Sequence, residues 1–141
     1  MPFAPFEADR SLGTVGTRVK LTTVGAPTPH VSETTVTRAD APKALEYNWG
    51  GFDMRWELEA NGSGTRLTLW TNIDRRFISW GAAGWHICFD VLERLLAGEP
   101  IGRIAGAGVM KFAGWQRLVA EYAKQFAVES PKWPPGAAQK S

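Results

Sequence analysis

The sequence predicts one α+β domain, in which an antiparallel β-sheet is followed by a long helix. Two observations carry this prediction. Apolar and polar residues alternate with period 2 in segments between residues 17 and 70, and a helical period replaces the alternation from Ser79 onward. The connections between the alternating segments are short, so the strands should form one antiparallel meander with an apolar face. A chain of 141 residues is long enough for a single domain with its own core.

Three strands are predicted before the turn at Gly50 and Gly51. The first covers residues 17–24, where apolar and basic side chains alternate, and the second covers residues 31–38, which are rich in β-branched side chains. The third ends at Gly50 and Gly51 and has three alternating large side chains: Leu45, Tyr47 and Trp49. Residues 1–16 show no clean period, and residues 39–42 (ADAP) are predicted to form a turn.

A β-hairpin is the most specific local prediction. Its loop is residues 61–64 (NGSG), whose Asn and Gly suit the positive φ angles of a tight hairpin turn. Apolar side chains occupy alternate positions on both sides of the loop: Met54, Trp56, Leu58, Leu67 and Leu69. Trp70 lies on the opposite, polar phase of its strand, so we expect it to be partly exposed.

Two helices follow the predicted sheet. The first begins near Ser79 and ends at Gly98, which is well placed as its C-terminal cap. Its wide apolar arc includes Trp80, Trp85, Ile87, Cys88, Val91, Leu92 and Leu95. The second helix is predicted from about Lys111 to Val128, with one apolar face: Phe112, Trp115, Val119, Tyr122 and Phe126. Residues 129–141 are rich in proline and are predicted to be a flexible tail.

His86 and Asp90 lie one helical turn apart beside the only cysteine, a spacing that raises the question of catalysis. They face away from the tryptophans, and Arg94 continues the polar stripe, so we interpret them as a surface pair. His86→Ala should then change the free energy of unfolding by less than about 0.5 kcal/mol. Cys88 lies about 160° from His86 on the helical wheel, on the apolar flank, and is interpreted as a small core residue. The sequence therefore predicts no catalytic residue, no metal ligand and no cofactor.

Composition and charge exclude several classes of function. The net charge is only +2 and the basic residues are scattered, whereas a nucleic-acid-binding protein needs a clustered basic face. No apolar run approaches the ~20 residues of a membrane span, and the N-terminus has no secretory signal pattern. One cysteine suits a reducing compartment. We therefore expect a cytoplasmic protein that binds neither nucleic acid nor a membrane.

Three segments, in this order, resemble a known family. They are "LEYNWGG", "MRWELEANGSGTRLTLW" and "AAGWHICFDVLERLLAGEP", which together cover much of residues 17–98. They are similar to the SRPBCC (START-like) superfamily and, more narrowly, to bacterial homologues of the activator of the ninety-kilodalton heat-shock protein ATPase. The extension "GWQRLVAEYAKQF" is similar to one found on many bacterial members. Each motif is weak alone, and their combination and order are fairly specific.

The resemblance implies a helix-grip fold, in which a curved antiparallel sheet packs on the long helix around an apolar cavity, with an extra C-terminal helix. It places this START-like domain in residues 1–128. Family members usually begin with a strand and two short helices for which this sequence has no counterpart, so we expect an N-terminally shortened domain. The shortening would expose a sheet edge and an apolar groove. Proteins normally cover such surfaces, so we expect a homodimer or higher oligomer.

The resemblance also implies the function that we expect, a binding module for a small hydrophobic or aromatic ligand. The expected cavity wall is Trp49, Met54, Trp56, Leu58, Leu67, Leu69, Trp80, Ile87 and Val91. The same residues could instead fill a closed core. A protein-interaction or stress-response role of the chaperone-regulator kind is a second possibility. A cavity-based lyase, cyclase or hydrolase is a third possibility. The pattern argues against it, because no His, Asp or Glu is predicted to face inward.

Overall fold

The computed structural model describes residues 3–25, 28–105, 109 and 113–131. Their secondary structure is α+β, with seven strands in two antiparallel sheets and two α-helices, which confirms the predicted class. The chain divides into two compact units. The sheet unit consists of Phe6–Thr23 and Thr28–Asn72, and the helical unit consists of Met1–Pro5, Val24–Pro27 and Ile73–Ser141.

The first sheet has three antiparallel strands in the order β1-β2-β3. Its strands are β1 (Phe6–Ala8), β2 (Arg18–Thr23) and β3 (Val31–Thr35). The alternation predicted for β2 is confirmed, since Val19 and Leu21 are buried while the basic residues between and before them are exposed. Strand β1 was not predicted, because three residues are too few to show a period.

The second sheet has four antiparallel strands in the order β4-β5-β6-β7. They are β4 (Arg38–Asp40), β5 (Ala44–Trp49), β6 (Phe52–Asn61) and β7 (Gly64–Thr71). The predicted hairpin is confirmed: Asn61 pairs with Gly64, and Gly62 adopts a φ of +62°. Glycine has no Cβ to oppose that left-handed conformation, which explains its place in the loop.

The prediction of a single meander is wrong, because the segment predicted as one strand over residues 31–38 is shared between the two sheets. The Val36 N–H donates to the Thr17 carbonyl next to β2, and the Thr37 N–H donates to the Glu46 carbonyl of β5. The backbone therefore changes partners between these two residues. Strand β4 follows and continues to Asp40, inside the segment predicted as a turn.

The helical unit contains α1 (Ile78–Leu96) and α2 (Ala113–Phe126). A single 3-10 turn precedes α1, and the Asp74 carboxylate caps it by accepting the Arg76 N–H at 2.8 Å. Gly98 follows the end of α1 with a φ of +78°, and the Glu99 N–H donates to the Arg94 carbonyl. The predicted C-terminal cap is therefore confirmed.

Helices α1 and α2 share an apolar core. Its buried members are Ala83, Ile87, Val109, Trp115 and Val119, with Trp80 and Tyr122 among the half-buried residues packed against them. The Trp80 and Trp115 rings meet edge to face, with centroids 5.4 Å apart. Phe112, predicted for the same face, lies outside the described residues. The second helix is confirmed, with an apolar face directed at α1.

The residues after α2 return to the start of α1. Ser130 hydrogen-bonds through its hydroxyl to Ser79, and the Trp80 indole N–H donates to the Pro131 carbonyl at 3.1 Å. Arg75 donates to the Phe126 carbonyl at 3.3 Å. Within the predicted tail, residues 132–141 lie outside the described part of the chain, and the prediction of flexibility stays a prediction.

Candidate functional site

Six of the nine predicted cavity-wall residues lie in the sheet unit, on one face of the second sheet. The strand register makes them neighbours, because Trp56 pairs with Leu69 and Leu58 pairs with Leu67 across β6 and β7. On the other side of β6, Met54 pairs with Tyr47. We call this surface the aromatic face and define it by Tyr47, Trp49, Met54, Trp56, Leu58, Leu67 and Leu69. Alternation along each strand places these side chains on the same side.

Burial decreases along the aromatic face toward the hairpin loop. Met54 is 1% exposed and Trp56 is 6% exposed, whereas Leu58 is 41% exposed. Trp49, Leu67 and Leu69 are half-buried. The face therefore combines a closed aromatic part around Met54 with an accessible apolar part near the loop.

Tyr47 is the polar group of the aromatic face, and the sequence analysis did not include it among the site residues. Its hydroxyl accepts a hydrogen bond from the Trp56 indole N–H at 2.9 Å, and its ring meets the Phe6 ring edge to face. Tyr47 is 2% exposed, and this burial raises the pKa of its phenol well above the usual value. The phenol is therefore neutral, and its own proton has no acceptor among the residues that the structure describes. A tyrosine on the apolar phase of a strand was the available signal, because a buried hydroxyl needs a partner.

The other three predicted wall residues lie in the helical unit. Ile87 belongs to the core between α1 and α2, and Trp80 packs against that core. Val91 is also buried, at 4% exposure. The structure thus brings Trp80 and Ile87 together around Trp115, a residue that had been predicted only as part of a helix face.

His86 forms the predicted partly exposed pair with Asp90, but it also contacts α2, which the sequence interpretation did not include. The pair with Asp90 is present, with Nε2 3.5 Å from Oδ2, but Nδ1 lies 2.8 Å from the Tyr122 hydroxyl of α2. Helix α2 covers this side of α1, which the pattern of α1 alone does not reveal. Arg94 does not continue the pair and instead lies 3.4 Å from Glu99.

Cys88 is a buried residue, as predicted, with 3% exposure. Burial raises the pKa of its thiol to about 11, so the thiol is protonated at neutral pH and is a poor nucleophile. Among the described residues, no group of three His, Cys, Asp or Glu side chains has the arrangement of a metal site. Neither helix of the described ranges has the length and apolar character of a membrane span.

The contact of His86 with Tyr122 changes the expected effect of its removal. His86→Ala should lower the free energy of unfolding by about 1 kcal/mol, because it deletes a hydrogen bond between two helices. Urea denaturation of the wild type, His86→Ala, Tyr122→Phe and the double variant measures the coupling. We expect the two single effects to be non-additive. Full additivity, or a loss no greater than that of an exposed substitution, would show that the contact contributes nothing.

Comparison with known proteins supports the fold. Neither the protein-family models nor the curated proteins include a match to this chain. Two solved structures are similar to it. The protein SSP2350 from Staphylococcus saprophyticus has a TM-score of 0.56 at 15% identity, covering 70% of this chain and 75% of that one. CalU16 from Micromonospora echinospora has a TM-score of 0.53 at 17% identity, covering 86% of this chain and 66% of that one. At these identities the likeness concerns the fold alone.

Proposed function

We propose that this chain is a START-like (SRPBCC) binding module for a small apolar or aromatic ligand that carries one hydrogen-bond acceptor. The observation that supports it most is the Tyr47 hydroxyl, which is buried and neutral and has no acceptor for its proton among the described residues. A carbonyl or ether oxygen of a ligand would accept that proton. The α+β fold, and its likeness to the two solved structures, agree with the proposal.

The aromatic face suits such a ligand chemically. Small-molecule sites are mostly apolar, with a few polar groups that fix the orientation of the ligand. Burial of apolar ligand surface would supply the affinity, at about 25 cal/mol for each Å² removed from water. The exposed part of the face near Leu58 would be covered by the ligand. Trp80, Ile87 and Val91 lie in the helical unit, and the proposal for the aromatic face does not depend on them.

The competing interpretation is that the aromatic face is a filled core that accepts no ligand. Two probes of similar shape distinguish the two: naphthalene, which has no acceptor, and acetonaphthone, which adds a carbonyl. We expect both to change the tryptophan emission, because the tryptophans Trp49 and Trp56 belong to the aromatic face.

Tyr47→Phe is the decisive variant, since it deletes the hydroxyl and keeps the ring. It should weaken acetonaphthone binding about fivefold to tenfold, the effect of one hydrogen bond of ~1 kcal/mol. Naphthalene affinity should not change. Titration calorimetry measures both, with circular dichroism as the control for folding. Unchanged emission with both probes at saturation would mean a filled core, and equal loss for both probes would remove Tyr47 as the anchor.

A further inference from the structure

The sheet unit contains a cleft that is lined mostly by polar residues and also by Tyr47 and Met54 of the aromatic face. The cleft has a volume of about 690 Å³. The cleft lies beside β3 and β5, which are connected by a hydrogen bond from the Asn48 N–H to the Thr34 hydroxyl at 3.1 Å. Among its lining residues are Thr34, Thr35, Asn48, Asp53, Arg55 and Trp70. Arg55 and Trp70 lie on the side of the second sheet opposite to Met54, but Tyr47 and Met54 also line the cleft, so the cleft and the aromatic face share these two residues.

Trp70 gives the cleft a flat aromatic surface. It is 53% exposed, and it pairs with Arg55 across β6 and β7. The Arg55 guanidinium lies over the indole, 5.0 Å from the ring centroid, which fixes the ring by a cation–π contact. More than half of the Trp70 surface is still open, so the ring can stack with a ligand that has one apolar side.

The arginine and glutamate side chains around the cleft are paired with one another, whereas the Asp53 carboxylate accepts hydrogen bonds from two amides. The ion pairs are Arg18–Glu33 at 3.5 Å, Arg38–Glu46 at 3.6 Å and Arg55–Glu57 at 3.1 Å. Binding a charged ligand would require breaking one of these pairs or burying an unbalanced charge. The negative charge of the Asp53 carboxylate disfavours an anionic ligand, and a neutral ligand leaves these ion pairs in place.

Hydrogen-bonding groups are arranged beside Trp70. The Asp53 carboxylate accepts from the Asn48 amide at 3.2 Å and from the Asn72 amide at 3.4 Å. The side-chain Oδ1 of Asn72 accepts from the Asp53 backbone N–H at 2.8 Å, and this hydrogen bond holds the Asn72 side chain in place. Thr35 and Thr71 line the same cleft. Oriented carboxylate, amide and hydroxyl groups suit a ligand with several hydroxyls.

We propose that the cleft binds a neutral sugar ring stacked on Trp70. A hexose has a C–H face that can lie on the indole and hydroxyls at its rim that can bond to the Asp53 cluster and the threonines. A purely apolar ligand would displace water from these polar groups without replacing the hydrogen bonds to that water, which is costly. The sugar would be held by Trp70 and the polar groups around Asp53, whereas the proposed apolar ligand would be held by Tyr47 and the apolar side chains; the two sites share Tyr47 and Met54 as lining residues.

Titration of the isotope-labelled protein followed by NMR tests the proposal. The probes are glucose, galactose, N-acetylglucosamine, maltose and cellobiose. At least one should shift the Trp70 indole N–H and the Thr71 and Asn72 amides at millimolar concentration. Trp70→Ala should weaken that binding at least ~tenfold, because stacking on an aromatic surface accounts for much of it. Trp70→Phe keeps a ring, so its sugar affinity should lie between those of the wild type and Trp70→Ala.

Phe77→Ala is the matched control. Phe77 is 38% exposed and lies under the Arg76 guanidinium at 5.6 Å, so it reproduces the arrangement of Trp70 in the helical unit. It should leave sugar binding unchanged. The absence of shifts with every sugar would overturn the proposal, and so would equal losses for Trp70→Ala and Phe77→Ala. Stronger shifts of the Trp70 signals with adenosine or with inorganic phosphate would overturn the assigned ligand class.

Discussion

Trp56→Ala should lower the free energy of unfolding by about 3–5 kcal/mol, as truncation of a buried aromatic residue does. Trp56 is 6% exposed and lies between Leu45 of β5 and Leu69 of β7 in the strand register. Its loss leaves a cavity next to Met54 and removes the indole N–H that Tyr47 accepts. Equilibrium denaturation in guanidinium chloride measures the effect.

Trp70→Ala is the matched control for this prediction, since it removes the same side chain from the neighbouring strand. Trp70 is 53% exposed, so its loss should cost less than about 1 kcal/mol. A similar loss for both variants would mean that the two faces of the second sheet are equally buried. Trp56→Phe keeps a ring at the buried position, and its cost should be smaller than that of Trp56→Ala.

The hairpin and the two helices were predictable because their signals are local. Alternation around residues 61–64 fixes which side chains share a face, and the loop residues fix the turn. The end of α1 just before Gly98 follows from the same kind of information. The partial exposure of Trp70 is confirmed for the same reason, since its phase in β7 differs from that of Leu67 and Leu69.

The division into two sheets was not predictable, because it depends on partners that are distant in sequence. Val36 and Thr37 belong to one β-branched run, and only their acceptors, Thr17 and Glu46, show that they serve different sheets. The position of His86 has the same explanation. Its surroundings depend on Tyr122, which is 36 residues further along the chain.

The candidate site was predictable in its apolar part only. The period of β6 and β7 identifies Met54, Trp56 and Leu69 as neighbours on one face. It does not reveal that the Tyr47 hydroxyl reaches the Trp56 indole, which depends on the register between β5 and β6. The polar cleft was missed because it forms where β3 and β5 meet, and no single segment contains that junction.

Trp115→Ala should release α2 from α1, with a loss of about 3–5 kcal/mol in the stability of the contact. Trp115 is 3% exposed and packs with Trp80, Ile87 and Val119. Helix α2 has 14 residues, and a helix of this length is marginal in water without tertiary contacts. Loss of the Trp115 contacts should therefore unfold α2 itself. Hydrogen exchange of the amides of residues 113–126 measures this opening, and far-ultraviolet circular dichroism should show less helix.

Glu121→Ala is the control for helix propensity, because Glu121 is exposed on α2 and alanine is an equally good or better helix former. It should leave exchange in α2 almost unchanged. Fast exchange in both variants would mean that the stability of α2 depends on its intrinsic helix propensity and not on the Trp115 contacts. Unchanged exchange in Trp115→Ala would mean that the hydrogen bonds of Ser130 and Pro131 to the start of α1 hold the helix in place without its central tryptophan.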